Sequence, residues 1–214
     1  MTVIVSKNAV NLREELASLR NQGGYEEQQF WFAGLVTNGT FDADTNWTKG
    51  TGWSISGGTA NKTAGTGDAI YQPAELNAGK TYRIVYTVSG ATAGTCAAVL
   101  TGGTQVTGTL LGTNTTRVEL LTANTGNVNV GVTSNATFDG SIDNISVYEV
   151  DANDDVVHRL PKGWKPKDVF EDGLLQREGA AHDYEVVYDG FDYYVKPAVA
   201  PSATTQTCVI GVRK

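Results

Sequence analysis

The residues of this chain that could do chemistry are few, and the clearest are aromatic. Trp47, Trp53 and Tyr71 stand in a Thr- and Gly-rich stretch. An exposed indole or phenol there would stack a sugar ring while neighbouring hydroxyls bond the sugar's own. The alternative is that the early tryptophans pack into a core. The run Asp42-Ala-Asp44-Thr-Asn46 imitates the opening of a calcium loop. Trp47 takes the sixth position, which needs glycine, and Trp53 the twelfth, which needs glutamate, so an EF-hand is excluded.

Groups for catalysis are sparser. His158 and His182 are the only histidines, and no Gly-x-Ser-x-Gly, His-Glu-x-x-His or phosphate-cradling motif occurs. A glycosidase needs two carboxylates across a cleft; Glu75, Asp68 and Glu119 are available, but nothing in their spacing selects them. Cys96 and Cys208 match no metal-ligand spacing and read as small buried hydrophobes. The expectation is a protein that is not an enzyme.

Charge narrows the partners. Asp and Glu number 23 against 16 Lys and Arg, a net charge of −7. No basic cluster could neutralise a run of phosphates, so no nucleic-acid partner is expected. No apolar run approaches a membrane span, so no membrane partner is expected either. The opening MTVIVSKNAVNLREEL lacks the pattern of a secretory leader. The Asn-x-Thr/Ser triplets, as at Asn38 and Asn114, are what chance supplies in a Thr-rich chain.

These residues need elements to hold them, and the pattern is almost all β. Thr81–Ser89 alternates with Tyr82, Ile84, Tyr86 and Val88 on one face. Residues 95–101, 116–122, 127–134 and 142–150 are further strands, with Val128, Val130 and Val132 sharing a face. Gly/Asn/Thr turns separate the runs at even spacing, as in a sandwich or barrel. Residues 1–34 differ. Asn11 and Glu14 form a capping-box-like start, and Leu12, Leu16 and Leu19 make one apolar stripe that predicts a short helix ended by Gly23-Gly24. Such a helix is marginal alone and must dock. Phe30-Trp31-Phe32 follows as an aromatic arm, either a lid on the sandwich or an assembly contact. Residues 151–165, acidic and proline-containing, read as a linker. Residues 166–214 read as a small β unit with Asp172-Gly173 and Asp189-Gly190 turns and an unusual density of aromatics, Tyr188, Phe191, Tyr193 and Tyr194.

Two stretches carry a resemblance. Thr37-Asn-Gly-Thr-Phe-Asp42, Trp47, Trp53-Ser-Ile-Ser-Gly-Gly58 and Ser141-Ile-Asp-Asn-Ile-Ser-Val147 resemble the start and end of carbohydrate-binding-module jelly rolls of the galactose-binding-like type, over residues 35–150. Asp168-Val-Phe-Glu-Asp-Gly-Leu-Leu-Gln-Arg-Glu-Gly179, His182-Asp-Tyr-Glu-Val186, Ala198-Val-Ala-Pro201 and Val209-Ile-Gly-Val212 resemble a small β module of bacteriophage fibre and virion proteins, with an extra residue or so before Asp183. The resemblance implies a jelly-roll β-sandwich and a particle component. It also implies a structural calcium with Asp42 as the early and Asp143 as the late ligand; ordinary turn capping by both is the alternative.

The expected fold is all-β: a jelly roll over 35–150, a helix and arm over 1–34, a linker over 151–165 and a small β module over 166–214. The expected function is a non-enzymatic structural component of a phage particle, a capsid decoration or head fibre or a short tail or collar fibre. It would be located in the virion and bound to other capsid, neck or tail proteins. It would assemble through Leu12, Leu16, Leu19, Phe30, Trp31, Phe32, Tyr193 and Tyr194, as a homo-oligomer and by analogy a trimer. The alternatives are a glycan-binding module for host or mucosal polysaccharide and, less in keeping with the residues, a polysaccharide-degrading enzyme.

Overall fold

The computed structural model describes residues 26–32, 34–153, 155–172, 174–176, 178–179, 183–188, 192–199 and 207–213. Among them there are strands and no helix. The expected helix, with Leu12, Leu16 and Leu19, lies outside the described residues.

The chain opens on β1 (Glu26–Phe32) and then builds a two-layer sandwich. Its strands are β2 (Thr48–Lys49), β3 (Trp53–Ser56), β4 (Thr59–Lys62), β5 (Ala69–Pro73), β6 (Thr81–Ala93), β7 (Cys96–Thr101), β8 (Val106–Thr107), β9 (Thr116–Thr122), β10 (Asn129–Ser134) and β11 (Asp139–Val150). One five-stranded sheet runs β2-β5-β10-β7-β8 and the other β3-β4-β11-β6-β9, every pair antiparallel. Alternation decides what goes inside. Tyr82, Ile84, Tyr86 and Val88 project from β6 onto Ile70, Leu100, Val130 and Val132 of the facing sheet, all buried. Val128 does not join its expected partners: it precedes β10 and is exposed.

Two irregularities tie the first loop to the last strand. Asn38 and Phe41 both have φ +52°, and the Asn38 amide holds the loop by donating to the Ala43 and Thr45 carbonyls at 2.6 and 3.0 Å. A bulky residue such as Phe41 avoids the left-handed region unless its surroundings compel it, and here its ring is buried against Trp47. On β11, a bulge between Asp143 and Ser146 leaves Asn144 at φ +54°, and the Ile145 amide donates to the Gly39 carbonyl at 2.9 Å.

The second unit is wider than the sequence pattern outlines. It contains β12 (His158–Arg159), β13 (Lys165–Glu171), β14 (Leu174–Leu175), β15 (Tyr184–Tyr188), β16 (Tyr193–Pro197) and β17 (Thr207–Arg213). These form the sheets β1-β17-β13-β14 and β12-β16-β15. Two expectations are therefore corrected. Residues 26–32 are an edge strand of this unit, paired with β17 from Glu26–Arg213 to Phe32–Thr207, and not a lid on the sandwich. Residues 156–164 are part of its fold and not a linker: Val157, His158, Leu160 and Trp164 are buried. The reason is size. A unit of about 50 residues shelters too little apolar surface alone, and the flanking segments complete its core of Leu160, Trp164, Val169, Tyr184, Val195 and Val209, with Phe30 and Val186 packed against it.

The hairpin signals hold. Asp172, at the turn between β13 and β14, has φ +47°, and β15 pairs with β16 through Tyr188–Tyr193 across the second Asp-Gly segment.

Candidate functional site

Both early tryptophans belong to the core, which corrects their candidacy as sugar platforms. Trp47 and Trp53 are 7% and 6% exposed. The Trp47 indole N–H donates to the Asn38 carbonyl at 2.9 Å and its ring meets Phe41. The Trp53 N–H donates to the Asp68 carbonyl at 3.1 Å and its ring meets Phe138. With ring and N–H both engaged, neither indole has a face to offer a sugar.

Tyr71 is different. It lies on β5 facing away from the core and is half-buried. Register places Thr48, Tyr71, Gly131, Val99 and Thr107 in one row on the side away from the core, its middle residues Gly131 and Val99 buried, with Asn129 and Thr101 in the next row. Asn129 donates to the Thr101 hydroxyl at 3.4 Å. Gly131 is required there, because a Cβ would sit 2.0 Å from the Ile70 carbonyl and 2.6 Å from the Tyr71 Cα. An uncharged face with one phenol ring, several hydroxyls and an amide has the chemistry that meets a neutral polyol.

The structure brings the elements carrying Asp42 and Asp143 together through the Gly39–Ile145 bond, as the resemblance implies. However, both carboxylates already hold their own turns. Asp42 accepts from the Thr40 hydroxyl at 2.6 Å; Asp143 accepts from the Asn144 amide at 2.6 Å and the Asn144 side chain at 3.1 Å. Among the described residues no third acidic, imidazole or thiol group gathers with them. Calcium takes six to eight oxygens, so backbone carbonyls would have to supply most of them; the hydrogen bonds of both carboxylates named above are those of turn capping.

Of the three carboxylates available to a glycosidase, Glu75 lines the cavity at the junction of the two units, and Asp68 and Glu119 are engaged in the fold. Asp68 accepts the Thr51 and Ala69 amides at 2.7 and 2.8 Å, which hold its carboxyl below the ordinary range. Glu119 accepts the Tyr86 phenol at 2.5 Å, the Ala98 amide at 3.0 Å and the Thr109 amide at 2.7 Å. Arg117 donates to the same phenol at 3.1 Å and to the Cys96 carbonyl at 2.6 Å. Burial, reinforced by the bond to Glu119, pushes the Tyr86 phenol far above its ordinary value, and burial pushes the Cys96 thiol up to about 11. This Arg-Tyr-Glu cluster closes the edge of the sandwich. Its inward Arg and Glu at i, i+2 on a strand were the signal available in the sequence.

The assembly candidates divide. Phe30 packs edge-on to Trp164, centroids 5.0 Å apart, and against Gly211, so it is held within its own chain. The side chains of Trp31 and Phe32 lie outside the described residues. Tyr194 is buried at the junction with the sandwich: Arg159 and Lys80 stand over its ring at 5.0 and 5.6 Å, and Lys80 donates to its hydroxyl at 3.3 Å. Tyr193 is half-buried, 4.7 Å from Tyr188 and under Lys165. The exposed apolar residues of this unit are others: Leu174, Leu175, Val187, Tyr188 and Val199.

The junction holds a cavity of about 470 Å³ whose lining includes Phe30, Glu75, Tyr82, Tyr148, His158 and Arg159. Arg159 pairs with Glu149 of the sandwich and, at 3.4 Å, with Asp192 of the second unit. Burial holds the His158 imidazole down at about 4. Only the fold assembles this site, from residues spread over both units. Compared with models of known protein families and with curated proteins, the chain finds no match.

Proposed function

We propose that the chain is a non-enzymatic structural component of a bacteriophage particle, with the sandwich as a rigid body and the second unit as its attachment. One observation carries the attachment: Leu174 and Leu175, on the edge strand β14, are 71% and 62% exposed, and Val199 is 80% exposed. Large apolar groups on a small unit are stabilised by a neighbour that covers them. The particle context rests on the resemblance of residues 168–212 to the phage fibre module. The test is to detect the chain in purified particles by mass spectrometry and antibody labelling, and to add the Leu174→Asp, Leu175→Asp double variant to particles lacking it. Retention of the native chain and loss of the variant is the expected result. Absence from particles, or equal retention of both, sinks the proposal.

A second reading is supported by the Tyr71 face: adhesion of the particle to a neutral polysaccharide. A glycan array with the native chain and Tyr71→Ala tests it. Binding that disappears with the phenol supports adhesion; binding indifferent to Tyr71 excludes this face.

A further inference from the structure

Strand β9 is the outermost strand of its sheet and bonds β6 on one side only. Two flanking hydrogen bonds, Val88 amide to Thr115 carbonyl and Ala123 amide to Lys80 carbonyl, settle which of its backbone groups face β6. In an antiparallel ladder these alternate, so residues 117, 119 and 121 bond β6. The N–H and C=O groups of Thr116, Val118, Leu120 and Thr122 therefore point away from the sheet. The same four residues carry exposed side chains. Val118 and Leu120 are each about half exposed, as are Leu110 and Leu111 on the adjoining loop. Edge strands are normally guarded by an outward charge, a proline or a bulge. Here Arg117 and Glu119 turn inward, the register with β6 is unbroken, and no proline is present.

We propose that β9 pairs antiparallel with β9 of a second copy about a two-fold axis, joining two five-stranded sheets into one of ten. Charge selects both occupant and register. A net charge of −7 opposes self-association over most of the surface, whereas the outward positions of β9 are uncharged. An axis centred on Val118 sets Val118 against the partner's Val118, Thr116 against the partner's Leu120, and Arg117 against the partner's Glu119. Arg117 is buried, and among the described residues its Nε and Nη2 find no hydrogen-bond acceptor. An axis centred on Glu119 would instead set two carboxylates face to face, which is unfavourable.

This pairing is independent of the Leu174 attachment and is tested on the full chain. Sedimentation equilibrium is expected to give a dimer whose apparent mass falls twofold in Val118→Pro, with circular dichroism unchanged. The proline removes an outward N–H and leaves the bonds to β6 intact. Because the proline could disturb β9, register is read separately. On mild oxidation Val118→Cys forms a covalent dimer, since the two Cα atoms lie within disulfide range, and Leu120→Cys does not, since it faces Thr116 of the partner. A native chain that is monomeric, a dimer indifferent to Val118→Pro but abolished by Leu174→Asp, or cross-linking that favours Leu120→Cys overturns the proposal.

Discussion

Glu119 accepts the phenol of Tyr86 at 2.5 Å, and through it two strands of one sheet are locked at the mouth of the sandwich. The same carboxylate also accepts the Ala98 amide from β7 of the facing sheet. One acidic residue thus ties both layers together. Glu119→Ala is expected to destabilise the fold by about 2–4 kcal/mol, because three donors lose their acceptor together. Tyr86→Phe should cost about 1–2 kcal/mol. Urea denaturation of the two variants checks the ranking; equal and negligible losses would show that the bridge contributes nothing.

Trp53 and Tyr71 should separate stability from binding. Trp53→Ala empties a core position and is expected to cost about 3–5 kcal/mol. Tyr71→Ala, on the outer face, should cost about 1 kcal/mol or less and affect only retention on polysaccharide. Thermal melts alongside affinity electrophoresis read both effects.

Acid should weaken the junction before it titrates the carboxylates. His158 is neutral in the fold down to about pH 4, whereas its unfolded value is 6.5. Between those limits the unfolded chain binds the extra proton, so stability rises with pH there. The contribution is complete above about pH 6.5 and is lost as pH falls to about 4, a change on the order of 2–4 kcal/mol. His158→Phe should flatten denaturation midpoints measured between pH 4.5 and 7.5; an unchanged slope would assign the effect to another group.

Arg159 joins the two units through Glu149 and Asp192 while covering Tyr194. Arg159→Met keeps the aliphatic stem and removes the charge, leaving Glu149 without this partner. A loss of about 1–3 kcal/mol is expected for this partly buried pair. Limited proteolysis should then cut between residues 150 and 165 faster than in the native chain.

Gly131 is the tightest backbone approach on the Tyr71 face. Gly131→Ala should cost more than about 2 kcal/mol, because its Cβ meets backbone atoms that cannot swing aside. A near-native melt would mean that β5 and β10 can move apart.

Period-two alternation and turn residues made most of the sandwich legible in the sequence. The expected strand over residues 116–122 coincides with β9, and the buried face of β6 is the one its spacing predicts. The turn at Asp172 was legible for the same reason, since few residues tolerate positive φ; Asp189 and Gly190 lie outside the described residues. These are local properties, set by neighbours two to four residues apart. What lay beyond them was the destination of each side chain. A tryptophan in a Gly-rich loop looks the same from sequence whether it faces a sugar or a core; the Asn38 and Asp68 carbonyls, brought up by the fold, decide that Trp47 and Trp53 face inward. Phe30-Trp31-Phe32 read as an aromatic arm and not as part of a strand because their partner strand lies about 180 residues away in the chain.

By itself, then, the sequence determined a β-rich chain, most of its principal strands, its turn residues and its net charge of −7. Only the tertiary structure decided that the first strand completes the last unit, that Tyr71 keeps an outward face while both tryptophans are sheltered, and that β9 ends its sheet with open hydrogen-bonding groups. The physical reason is that pleat and turn chemistry act over a few residues, whereas burial and strand pairing depend on which distant segments come to lie alongside.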